Sequence, residues 1–124
     1  MKYAELTEKI IRCAFTVHNN LGFGFLEKVY ENSLIIELTK NGLRAFQQYP
    51  IQVKYNGEIV GEYIADLFVN DEVIVEIKSV NSLAKEHEVQ VVNYLKATGK
   101  DIGLLINFGR SVEIRRKYRD PIKS

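Results

Sequence analysis

The stretch from Asp66 to Lys78, within ADLFVNDEVIVEIKS at residues 65–79, reads as two strands joined by a tight turn at Asn70 and Asp71. Side chains alternate between faces along a strand, so Glu76 and Lys78 point one way while Val75 and Ile77 point the other. An acid and an amine therefore stand side by side. The preceding strand carries Asp66 inside the apolar run Ile64, Ala65, Leu67, Phe68 and Val69, and hairpin pairing returns that carboxylate alongside the Glu76 strand. Two carboxylates and one ammonium converge. Oxygen ligands of this kind suit Mg²⁺ or Mn²⁺, and a neighbouring lysine can orient a water or stabilise negative charge developing on a phosphate.

On the N-terminal side of this hairpin, Ile51, Val53 and Tyr55 alternate with Gln52 and Lys54, and Asn56-Gly57 is a strong hairpin signal because both positions accept φ > 0. With strands over 59–69 and 73–80, this predicts a three-stranded antiparallel meander. Earlier, Leu6, Ile10, Cys13, Ala14 and Val17 recur at helical spacing across residues 5–19, a helix ended by Asn19, Asn20 and Gly22. A second helix is predicted over 26–40, closed by Asn41 and Gly42. Beyond the meander, Ser82 reads as the N-cap of a third helix that ends at Gly99. Val89 and Val92 are expected to face the sheet, and Gln90 and Tyr94 to share another face. Residues 102–108 form a buried strand and 112–118 a further one. The segment before residue 102 has the length of a right-handed crossover, so strands 73–80 and 102–108 are expected to be parallel. The order is α-α-β-β-β-α-β-β, an α/β (α+β) fold with a central mixed sheet flanked by helices. One domain over residues 1–124 accounts for the length. The tail from Pro121 is expected to fray.

Hydrophobic residues at 46% and charged residues at 27% are ordinary for a soluble globular protein. No uninterrupted apolar run of about 18 residues is present to span a membrane, and MKYAELTEK lacks the apolar region of a secretory signal. A cytoplasmic location is the resulting expectation. Cys13 is the single cysteine, which leaves no internal disulfide and no cysteine cluster for zinc. The net charge of +1 does not announce a nucleic-acid binder. Its distribution says more, because Arg110, Arg115, Arg116, Lys117, Arg119 and Lys123 face only Glu113 and Asp120 near the C-terminus. Such a cluster neutralises phosphates, and it equally serves as a charged edge strand that resists aggregation.

Asp66 followed by Glu76-Ile77-Lys78 resembles the D…(D/E)XK signature of the PD-(D/E)XK nuclease superfamily. Gly24-Phe25-Leu26-Glu27-Lys28-Val29-Tyr30 reads G-x-x-E-x-x-Y, the motif that names a small bacterial and archaeal branch of it, the GxxExxY family. Gln90-Val91-Val92-Asn93-Tyr94 is similar to the Q-x-x-x-Y element that nuclease domains of helicase-nuclease complexes place on the helix after the lysine strand. The resemblance covers nearly the whole chain, and the element order matches the restriction-endonuclease-like α-β-β-β-α-β core with one extra helix before it.

That resemblance implies a nuclease hydrolysing phosphodiester bonds of DNA or RNA, with Mg²⁺ or Mn²⁺ held by Glu27, Asp66 and Glu76. Asp66, Glu76 and Lys78 become the catalytic residues, with Gln90, Tyr94 and Tyr30 in support and Arg110, Arg115, Arg116 and Lys117 on the nucleic acid. A homodimer is compatible with this, since a double-strand cut needs two sites. The alternative is a nucleic-acid or protein binding module that keeps the nuclease fold without useful turnover. Individual residues also have plainer readings. Glu27 serves as a first-turn charge, Tyr30 as packing, Gln90 and His87 as a solvated flank, and His18 as a complement to the helix dipole. A bare Glu76–Lys78 surface pair, worth under about 1 kcal/mol, leaves Asp66 and Gln90 without a role.

Overall fold

In the computed structural model, which describes residues 3–120, the amphipathic N-terminal segment forms α1 (Ala4–Leu21) and the next one α2 (Glu27–Lys40). Ile10, Cys13, Ala14 and Val17 of α1, with Tyr30, Leu34 and Leu38 of α2, are buried in the stripe that helices lying on a sheet require. The sheet comprises β1 (Ala45–Tyr55), β2 (Glu58–Val69), β3 (Val73–Lys78), β4 (Ile102–Phe108) and β5 (Val112–Tyr118), with α3 (Lys85–Thr98) between β3 and β4. Its strands lie in chain order. All neighbours are antiparallel except β3 and β4, because α3 carries the chain back to the other end of the sheet. The expected element order and mixed sheet are both present.

Alternation along β3 separates two cores. Val73, Val75 and Ile77 join the core under α1 and α2, whereas Ile74 joins the one under α3. Glu76 and Lys78 share the face of Ile74. β1 and β2 do not keep this alternation. Leu67 and Val69 belong to the first core, but Ala65, two residues before Leu67, belongs to the second. β1 changes sides as well, since Ala45 packs toward α1 and α2 while Tyr49 and Ile51 pack toward α3. The switch falls where Gln48, at φ 55, stands opposite Asp66, between the pairs Gln47↔Leu67 and Tyr49↔Ala65. β1 therefore begins well before the predicted alternation at Ile51, because the change of face hides its first half.

α3 also departs from expectation at its start and on its face. Its N-cap is Ala84, not Ser82. The Ala84 N–H donates to Nδ1 of His87 at 3.0 Å, so His87 closes the first turn rather than facing solvent as a free flank. Val91, Tyr94 and Leu95 are the buried residues of the helix, and Val89 is 50% exposed. The reason lies in β4: a Cβ at Gly103 would sit 2.6 Å from Val91 Cγ1, so the missing side chain makes the hollow that seats Val91 and sets the rotation of the helix. Val89, two residues away, is turned about 200° from Val91. Pro121 and Lys123 lie outside the described residues.

Candidate active site

The β2–β3 ladder holds only from Val69↔Val73 to Leu67↔Val75, and past it the strands part at Asp66 and Glu76. Backbone donors at such a fork need partners, and here the two acids supply them. Oε1 of Glu76 accepts the N–H of Asp66 at 3.1 Å, and Oδ2 of Asp66 accepts the N–H of Ile77 at 2.8 Å. Each carboxylate thus caps the opposite strand, which fixes both side chains against each other.

Glu76 is 4% exposed. Burial pushes its carboxyl up to about 9, and the charge of Asp66 adds to the rise. Asp66 is raised as well, first by burial and further by Glu31, while the Ile77 N–H and Lys78 pull the other way. The pair accordingly retains a proton where isolated carboxyls would be ionised. Lys78, half-buried at the end of β3, offsets part of the negative charge of both acids.

Glu31, which the sequence reading passed over, is 3% exposed and faces this pair from α2. It accepts from Lys28 Nζ at 3.0 Å, from Gln47 Nε2 at 2.8 Å and from Gln48 Nε2 at 3.1 Å. Glu27, one turn earlier, is exposed and lines the same cleft of about 640 Å³ as Glu31, Gln48, Asp66 and Ser79. A signal for Glu31 was available: at i, i+3 and i+7 with Leu34 and Leu38, it is an acid set in the helix's buried stripe.

Tyr30 is directed elsewhere than Glu27. Its hydroxyl donates to the Gly22 carbonyl at 2.7 Å and accepts the Phe25 N–H at 3.3 Å, and its ring stacks on Phe108 at 4.6 Å. The residue pins the loop before α2, where Gly24 adopts φ 107 that a side chain would strain. Ser79 Oγ donates to the Phe25 carbonyl at 2.8 Å, tying that loop to the end of β3. His18 shares this architecture, with Nε2 donating to the Gly109 carbonyl at 2.8 Å.

Tyr94 is 5% exposed and pushed up to about 12 by burial and then by the charges of Glu76 and Asp66, with Gln90 pulling the other way. Tyr94 therefore borders the acids from the α3 side of the sheet, and Gln90 is half-buried one turn before it. The basic residues are spread. Arg110 lies over the Phe23 ring at 5.1 Å, and Lys117 pairs with Glu88 at 3.0 Å. Arg115 stands 3.7 Å from Glu113. Arg116 shares the strand face of Ile114 and Tyr118, which pack toward α1 and α2.

The donor set of this fork is all oxygen, and two of its acids repel each other in a partly dry setting. Both features fit a hard divalent cation, which Asp66 and Glu76 would hold, with Glu31 and Glu27 in the cleft beside them. Among the described residues, no three His, Cys, Asp or Glu side chains are already drawn together as a cage.

A family model for the PD-(D/E)XK nuclease superfamily matches residues 4–117. Among solved structures, the crystal structure of SSO0001 superposes with a TM-score of 0.60 at 17% identity, covering 77% of this chain and 50% of that one. An alkaline exonuclease (LHK-Exo) from Laribacter hongkongensis superposes with a TM-score of 0.56 at 13% identity, covering 97% of this chain and 72% of that one. The chain thus spans half the length of SSO0001, and at these identities the likeness is one of fold. No curated protein matches the sequence significantly. Among the described residues, no helix is long and apolar enough to cross a membrane.

Proposed function

This chain belongs to the PD-(D/E)XK nuclease superfamily, and from that premise we propose that it is a metal-dependent nuclease acting at the fork of Asp66 and Glu76. The observation that carries the reading is the crossed bonding of these two acids, each capping the other's strand and each raised in pKa. Structural ion pairs lower carboxyl pKa values; a fork that raises two of them is set up for a cation. We assign the chain to the GxxExxY branch on Gly24, Glu27 and Tyr30, with Gly24 permitting the loop and Tyr30 pinning it.

Asp66 and Glu76 would hold Mg²⁺ or Mn²⁺, with Glu31 and Glu27 completing the acidic wall. When bound, the cation supplies Lewis-acid stabilisation of charge on the scissile phosphate and acidifies the attacking water. Lys78, two residues beyond Glu76 on the same strand face, orients that water and offsets charge as the P–O bond to the leaving oxygen breaks. Gln90 and Tyr94 position the strand from the α3 side. Arg110, held over the Phe23 ring, contributes contact with phosphate.

The test follows thermal unfolding and cleavage together, on single- and double-stranded DNA and on RNA. Mn²⁺ should raise the unfolding temperature and permit cleavage that chelator abolishes. A hundredfold excess over Kd corresponds to about 2.7 kcal/mol. Asp66→Asn should lose both effects. Lys78→Ala should keep the Mn²⁺ shift, because lysine is no ligand, and lose cleavage. Metal-independent binding without cleavage on any of these substrates would replace the enzyme with a binding module.

A further inference from the structure

A second concavity, of about 1090 Å³, lies between α3 and the β1–β2 hairpin, with Gln90 and Tyr94 in its lining. Tyr94 belongs to the same packed cluster as Ala65, the neighbour of Asp66, and Ile74, which shares the strand face of Glu76, so the groove approaches the acid fork from the α3 side of the sheet. Lys54, Lys96 and Lys100 line it, against Glu86 as the acid among the described lining residues. Its walls also carry aromatic faces. Tyr63 is 50% exposed, tilted against Tyr94 at 5.8 Å, and Tyr49 lies partly buried against Phe68 at 4.4 Å.

We propose that this groove is a track for single-stranded nucleic acid, leading one strand past Tyr63 and Gln90 to the Asp66–Glu76 fork. Net positive charge spread along a groove matches a phosphate backbone, and exposed tyrosine rings within it match unpaired bases. A duplex offers phosphates on its outside but keeps base faces stacked inside, so Tyr63 would have nothing to stack on. An acidic peptide would satisfy the lysines and leave the aromatic wall unused. The location of the track relative to the chemistry rests on the nuclease reading. Binding itself does not.

The experiment measures binding by fluorescence anisotropy in chelator, so that no cleavage occurs, with a labelled oligo(dT), a duplex of the same length and poly-glutamate as probes. Oligo(dT) should bind most tightly. Lys54→Gln combined with Lys96→Gln should weaken it about tenfold at low salt and reduce the slope of log K against log salt by about 1.4, at about 0.7 per phosphate contact. Tyr63→Ala, at a half-exposed position, should weaken oligo(dT) at least about fivefold and leave poly-glutamate unchanged. Lys9→Gln, on the exposed side of α1, is the control that should change nothing. Groove variants that bind oligo(dT) like the parent overturn the proposal, as does a duplex or poly-glutamate that binds as tightly with the same losses. Groove-dependent oligo(dT) binding in a protein that cleaves nothing leaves the track standing and removes the nuclease. Cleavage that persists with unaffected groove variants does the reverse.

Discussion

Without metal, the stability of this protein should fall as pH rises from about 5 to 8.5, the opposite of what salt-bridged carboxylates produce. Glu76 has an ordinary value of 4.5 in the unfolded chain and is held up to about 9 in the folded one, chiefly by burial and then by Asp66. Between those values the folded fork keeps a proton that the unfolded chain has released. The native state thus binds more protons, and stability declines by at most about 1.4 kcal/mol per pH unit for one shared proton. For 124 residues, at about 2.1 cal/mol/K each, the unfolding entropy is about 0.26 kcal/mol/K, so the decline reads as about 5 °C per unit. Measurements should stop near pH 8.5, because the Cys13 thiol, raised above 9.0 by burial, titrates beyond it.

Glu76→Gln isolates the cause. The amide keeps the side chain's volume and its oxygen acceptor for the Asp66 N–H, and its NH₂ can stand in for the shared proton. Thermal unfolding in chelator at constant ionic strength should show the parent melting lower at each higher pH and the variant nearly flat. Mn²⁺ should flatten the parent's profile and do little to the variant's. A parent whose melting temperature climbs with pH in chelator, or a variant that falls as steeply as the parent, would refute the assignment of the proton to this fork.

Two packing predictions accompany it. Tyr30→Phe keeps the stack on Phe108 but strips the Gly22 carbonyl and the Phe25 N–H of their partner; it should lower stability by about 1–3 kcal/mol, or about 4–12 °C, and an unchanged melting curve would show that the hydroxyl does not hold the loop. Gly103→Ala drives a Cβ to 2.6 Å from Val91 Cγ1 and 3.2 Å from the Ile74 carbonyl, with an expected loss of about 1–3 kcal/mol. Val91→Ala in the same chain should recover part of that loss, and strict additivity of the two would mean that Val91 is not seated there.

The parts of the fold that could be read from the chain are those whose cause is local. Asn56-Gly57 and Asn70-Asp71 take positive φ at both central turn positions, so the two hairpins follow from residue type alone. Asp66, Glu76 and Lys78 could be read for a related reason, since a short hairpin converts sequence spacing into proximity. Glu31 could not be paired in the same way. Its partners Gln47 and Gln48 lie sixteen and seventeen positions on, across the junction between helix and sheet. Gln48 itself breaks the local rule, holding φ 55 without being glycine, and no periodicity argument anticipates that. Its position explains the exception. Directly opposite Asp66, the residue sits where both strands change faces and where β2 leaves β3, so the backbone departure and the acid fork are one event. Strain of this kind persists only where the surroundings hold it, and here the hold is the Gln48 amide on a buried Glu31. The feature least visible in the sequence is therefore the one that links the α2 acid to the two acids of the hairpin.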